Sequence, residues 1–125
     1  MQHGFVDIGS EEFARILDEC ALLVNPSLSE SGAVAVLNVL ANGLLYPVYS
    51  RETGLALSDY APEVPEVTYA AFEKAIMEAA SLPAAELLQR AAALNGHVRR
   101  NYSLALYEER LRTTIEKILK NKNIR

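Results

Sequence analysis

Two short apolar runs, Leu22-Leu23-Val24 and Leu45 to Tyr49, bracket a helix-length segment with almost no polar face, Ala33 to Ala41. No other feature limits the possible folds so much. A short continuous apolar run reads as a strand buried on both faces, as in a parallel sheet. A helix that is apolar nearly all round must be covered on most sides. Parallel strands need a long crossover between them, and a helix of this length supplies it. Pro26 and the serines at Ser27, Ser29 and Ser31 break the first strand. Gly43 stands where a helix C-cap belongs, and Pro47 marks the start of the second strand or a sheet edge.

The flanking sequence extends the same alternation. Gly4-Phe5-Val6-Asp7-Ile8 is a short β-like run. Ser10 sits at an N-cap position, with Glu11 and Glu12 suited to the positive end of a helix. Phe13, Ile16, Leu17 and Cys20 follow at helical spacing and predict one buried face, Cys20 included. Arg51 to Thr68 is irregular and holds Pro62 and Pro65. Thr68 can cap a helix through Ala80. Pro83 suits the first turn of another, which runs to about Arg99. Ser103 can cap a last helix with Leu104, Tyr107, Leu111, Ile115 and Ile118 along one stripe, so residues 104–125 form a final amphipathic helix and basic tail. The order β-α-β-α-β, then helices, predicts one domain over residues 1–125: α/β, a Rossmann-like three-layer α/β/α arrangement with a short parallel sheet.

Charge and composition exclude several classes. The net charge of −4 argues against general nucleic-acid binding. The charge is uneven: from His97 onward there are eight Lys/Arg and three Asp/Glu, against four and thirteen before it. That basic end reads either as a solvated helix face or as a weak docking surface for an acidic partner or an anionic membrane surface. No apolar run reaches the ~18 residues of a membrane span. The single cysteine, Cys20, cannot form an internal disulfide. With no signal-peptide pattern at the N-terminus, the expected location is cytoplasmic. His3, His97 and Cys20 lack metal-ligand spacing, so no metal and no cofactor are expected. His97 reads as a surface residue.

Ligands of parallel α/β sheets bind beyond the carboxyl ends of the strands. "NPSLSESG", residues 25–32, is such a place, a strand end feeding a helix N-terminus. Unpaired amides and the helix dipole there suit phosphate oxygens, and Gly32 would let a ligand approach the backbone. Turns of this kind occur in every α/β protein. The pattern alone therefore leaves a bare turn and a ligand site both open.

Resemblance narrows the choice. Gly4, Val6, Glu12-Phe13, Val24, Pro26-Ser27, Glu30, Leu37, Ala41, Gly43 and Pro47 fall where a known pattern has them, and "NYS" at 101–103 precedes the final helix. The chain thereby resembles the donor-binding, C-terminal domain of retaining GT-B glycosyltransferases, the "glycosyl transferases group 1" superfamily. The resemblance spans the chain. It is specific from residue 3 to 50 and loose after Gly54. It implies transfer of a hexose from a nucleotide-diphospho-sugar to an acceptor with retention, the nucleotide sugar being substrate. It makes Glu30 the catalytic-site carboxylate that contacts donor hydroxyls. It assigns Ser31, Gly32, Ala33 and Val34 to the diphosphate and position 38 to the ribose.

Asn38 departs from that pattern, which has a second glutamate there. A carboxylate accepts from two ribose hydroxyls, and charge-assisted bonds are about twice as strong as neutral ones. The exchange costs on the order of 1–2 kcal/mol, about tenfold in affinity. "GFG" is replaced by Ser31-Gly32-Ala33, and of a double-glycine loop only Gly54 remains, beside Thr53. The acceptor domain and the Arg…Lys pair that neutralises the leaving diphosphate have no counterpart in the sequence, and Arg51 reads as a surface residue. The chain is therefore expected to be the last third of an enzyme, inactive alone, with a free sheet edge through which copies could associate. The alternative is a degenerate glycosyltransferase-like domain that serves protein association.

Overall fold

The computed structural model describes residues 4–28 and 34–123. They form a mixed α/β fold. Helix α1 (Glu11–Glu19) leads to β1 (Leu22–Asn25), α2 (Val34–Asn42) and β2 (Tyr46–Tyr49). A single 3₁₀ turn (Arg51–Thr53) and an irregular stretch follow, then α3 (Tyr69–Ala80), α4 (Ala84–Asn101) and α5 (Leu104–Asn123). β1 and β2 are parallel, with Leu22 opposite Tyr46 and Asn25 opposite Tyr49. The α2 crossover between them is the connection that parallel pairing requires.

Three helices begin where a side chain replaces a missing backbone acceptor. Ser10 Oγ accepts from Phe13 N at 3.1 Å, Thr68 Oγ1 from Ala71 N at 3.2 Å and Ser103 Oγ from Leu106 N at 3.2 Å. Pro83 stands one position earlier than the sequence implies: it is the N-cap of α4, its carbonyl accepting from Leu87 N at 3.0 Å. α4 continues past Arg99 to Asn101.

The core is built around β2, which is buried along its whole length. α4 presents Leu94 and Val98 to it at helical spacing. α2 adds Val36 and Leu40, and α3 adds Phe72 and Ala79. Each such large apolar side chain contributes roughly 1.5–3 kcal/mol by leaving water. The irregular stretch is part of this core. Leu55, Leu57, Ala61 and Val64 are buried, and Val64 N donates to the Tyr49 carbonyl at 2.8 Å. Tyr46 N and Ser50 N donate toward β1, to the carbonyls of Ala21 and Asn25. By strand alternation the nitrogen of Pro47 faces the opposite edge, where no donor is needed.

Four expectations are corrected. Gly4 to Ile8 is not a strand; Phe5 is 92% exposed, and no described strand lies beside it to satisfy its backbone. Cys20 is exposed rather than core, because α1 ends at Glu19 and the helical phase is lost there. Gly43 does not adopt the left-handed conformation of a glycine cap. It is needed for space: a Cβ there would lie 2.6 Å from Leu45 Cδ1 and 3.1 Å from Leu17 Cβ. The apolar helix is covered only in part, since Val34 at its start is 66% exposed.

α5 carries its predicted stripe, yet Leu104, Tyr107, Leu111, Ile115 and Ile118 are all exposed. No described helix is long and apolar enough to cross a membrane.

Candidate functional site at the start of α2

The carboxyl ends of β1 and β2 lie side by side. The turn that leaves β1 is held by side chains. Asn25 Oδ1 accepts from Ser27 N at 3.0 Å, and Ser50 Oγ, just beyond β2, donates to the Ser27 carbonyl at 2.5 Å. Ser50 is fully buried, so this tie is shielded from water. The sequence Asn25-Pro26-Ser27 is thus a fixed exit from the sheet. Asparagine supplies the acceptor two residues ahead, and proline restricts the backbone between them.

Glu30, Ser31, Gly32 and Ala33 lie outside the described residues. Val34 opens α2, and Asn38 follows one turn later on the same face. The Asn38 carbonyl accepts from Asn42 Nδ2 at 2.7 Å. Val34, Asn38 and Asn42 line a groove of about 520 Å³ whose opposite wall is Arg99 and Tyr102, at the end of α4. That volume falls in the usual range for small-ligand clefts, roughly 300–1,000 Å³.

The far wall is stiffened from behind. The Tyr102 ring stands edge-on to His97, with centroids 6.4 Å apart, and His97 lies against Tyr60 at 4.7 Å. Asn101 Nδ2 contacts His97 Nδ1 at 3.1 Å and donates to the His97 carbonyl at 2.9 Å. The bond to the carbonyl fixes which end of the amide faces the ring, so Nδ1 accepts. His97 is therefore a half-buried structural residue and not the surface residue its sequence context implied. Arg99 is exposed and, among the described residues, makes no ion pair.

Of the six sequence-predicted site residues, the structure therefore places two, Val34 and Asn38, on one groove wall. Arg99 and Tyr102 were not singled out. Their only sequence signals were the basic C-terminal third and the "NYS" match. Arg51 is a surface residue as expected, its Nε 3.2 Å from Glu63 Oε1. Gly54 is left-handed and closes the 3₁₀ turn, with Thr53 buried beside it. That is a structural use for the one glycine kept from the loop pattern. Among the described residues no group of three or more His, Cys, Asp or Glu side chains could hold a metal ion.

A second, more apolar groove of about 420 Å³ lies beside β1, between Val24, Pro26 and the α3 residues Phe72, Ile76 and Met77. Comparison with known proteins returned no match: no family model, no curated protein and no solved structure.

Proposed function

We propose that the chain is the donor-side segment of a retaining glycosyltransferase with a Rossmann-like GT-B architecture. In this reading the nucleotide sugar lies along the start of α2. The sugar is held at Glu30, the diphosphate at the amides of residues 31–34 and the ribose at Asn38. The observation that carries the reading is the placement of Asn38. It stands one turn into the helix that leaves the carboxyl end of a parallel strand, and it lines a ligand-sized groove. An acceptor-holding domain completes the cleft. The leaving diphosphate needs cations positioned in a water-excluded site, which one helix terminus does not provide. We place the activity in the cytoplasm, a setting in keeping with the single, unpaired Cys20. The test is an isotope-edited titration with a uridine- or guanosine-diphospho-sugar. Amide shifts concentrated between Val34 and Asn42 support the reading; shifts confined to other elements contradict it.

A second reading, a degenerate domain that associates with protein, is favoured by a different observation. Among the described residues β1 pairs only with β2, so its outer edge is unpaired, and the apolar groove runs beside it. Such edges accept a strand from another chain. Here the partner is a second copy. Sedimentation that shows dimers at high concentration, together with no sugar-nucleotide binding, favours this reading.

A further inference from the structure

We infer that α5 is a membrane-surface anchor, its apolar stripe lying in the headgroup layer of an anionic bilayer and held there by the cations on its flanks. This does not depend on the donor-site reading. From Leu104 to Lys122 only Leu106 is half-buried, and every other side chain is exposed. Leu104, Tyr107, Leu111, Ile115 and Ile118 are 45–72% exposed. At about 100° per residue they fall within an arc of about 80° and run for about 21 Å. Leu106 lies about 140° from Leu111, so the one half-buried position is on the side away from the stripe. Helices in proteins draw most of their stability from packing an amphipathic face. This face has no cover among the described residues.

The placement of charge identifies the cover. Arg110 and Arg112 adjoin Leu111 in sequence, so they flank the stripe on opposite sides, about 100° from its centre. Lys117 shares the Arg110 side, while Glu109 and Glu116 lie about 140–160° round, near the back. Cations at such borders run their stems along the apolar layer and set their heads among lipid phosphates. Glu108 is the exception, at about 60°, one turn before Arg112 on the same side. Among the described residues no cation of α5 is in an ion pair. The whole chain is polarised in the same sense, with four Lys/Arg against thirteen Asp/Glu before His97 and eight against three from there on. An anionic surface therefore attracts the α5 end and repels the body, which orients the contact. A second α5 laid stripe to stripe, Leu111 on Leu111, sets arginine beside arginine in either direction, which disfavours a second copy. No described helix is apolar enough to cross a bilayer, so α5 lies in its surface plane.

The experiment is co-sedimentation of the full chain with vesicles of phosphatidylcholine alone and of phosphatidylcholine with about one-third phosphatidylglycerol. The anionic vesicles are expected to bind about tenfold or more tightly than the neutral ones, and salt raised from about 0.1 to about 0.5 M should remove most of the difference. Two variants separate the two contributions: Leu111→Gln with Ile115→Gln, and Arg110→Gln with Arg112→Gln and Lys117→Gln. Each should weaken binding to anionic vesicles by about tenfold or more. All five positions are exposed, so the urea midpoint should stay unchanged in both variants. The chain has no tryptophan, so the emission of Tyr107→Trp reports on the stripe alone and should shift to the blue on anionic vesicles. Equal affinity for the two vesicles overturns the inference. So does binding that survives loss of Leu111 and Ile115 with no blue shift, which is charge attraction without insertion. A dimer that the stripe substitutions dissolve, with no vesicle binding, assigns the stripe to a second copy and also overturns it.

Discussion

Asn95, on α4, donates its side-chain amide to the carbonyl of Leu40, 55 residues earlier, at 2.8 Å. The same nitrogen lies 3.2 Å from the carbonyls of Ala41 and Gly43. The last carbonyls of a helix have no partner within it. α2 is therefore finished by a side chain from a neighbouring helix, and not by the glycine that follows it. That tie locks the candidate groove's two walls, α2 and α4, to each other.

Asn95→Ala removes this cap and leaves half-buried carbonyls unpaired. The expected cost is about 1–3 kcal/mol. Urea unfolding should show a lower midpoint with an unchanged slope, since the surface exposed on unfolding is unchanged.

Gly43→Ala should also destabilise, for a different reason. The new Cβ meets the end of the Leu45 side chain at 2.6 Å, and overpacking of this kind costs roughly 1–3 kcal/mol. Shortening Leu45 to alanine removes the clashing atom. The double variant should therefore lose less stability than the sum of the two single ones. Thermal or denaturant unfolding of the four chains measures the difference.

These two positions show where sequence reasoning stopped. Ser10, Thr68 and Ser103 were legible as caps because capping is local: donor and acceptor lie three residues apart. The parallel pairing of β1 and β2 was legible from the apolar runs and the helix between them. Asn95 was not, because no local pattern reveals that an amide on one helix reaches another. Gly4 to Ile8 failed as a strand for a related reason: sequence shows β-propensity, but a strand also needs a partner. Periodicity found the α5 stripe and could not say whether anything covers it. In the candidate site Val34 and Asn38 were legible only through the family resemblance, which places them along one helix. Arg99 and Tyr102 were not, since the fold alone carries them there.

The exposed stripe of α5 makes a prediction by its isolation. Leu111→Lys with Ile115→Lys should leave unfolding within about 0.5 kcal/mol of the unaltered chain, as for ordinary surface changes. Leu94→Ala, in the buried face of α4, should cost about 2–5 kcal/mol. Equal losses from the two variants would show that α5 packs against the core.

Tyr49 supplies a pH dependence. Its hydroxyl donates to the Ala61 carbonyl at 2.9 Å, and its pKa is pushed up to about 12, first by burial and then by the negative charge of Glu63. The unfolded tyrosine ionises near 10. Between those values the folded state holds its proton while the unfolded state releases it, so stability falls as pH rises. Below about pH 10 this contribution is fully present, and it is lost as pH rises through about 12. Tyr49→Phe should lack that part of the decline when both chains are unfolded across pH 9 to 12.

The most direct test of a donor site at the start of α2 is calorimetric titration of the full chain and of Asn38→Glu with uridine-, guanosine- and adenosine-diphospho-sugars. A carboxylate at position 38 offers two acceptor oxygens to the ribose hydroxyls and lies in a half-buried, solvent-reached groove. The account predicts that Asn38→Glu binds one of these donors about tenfold more tightly, at unchanged thermal stability. A lower melting temperature with no binding by either chain would contradict it.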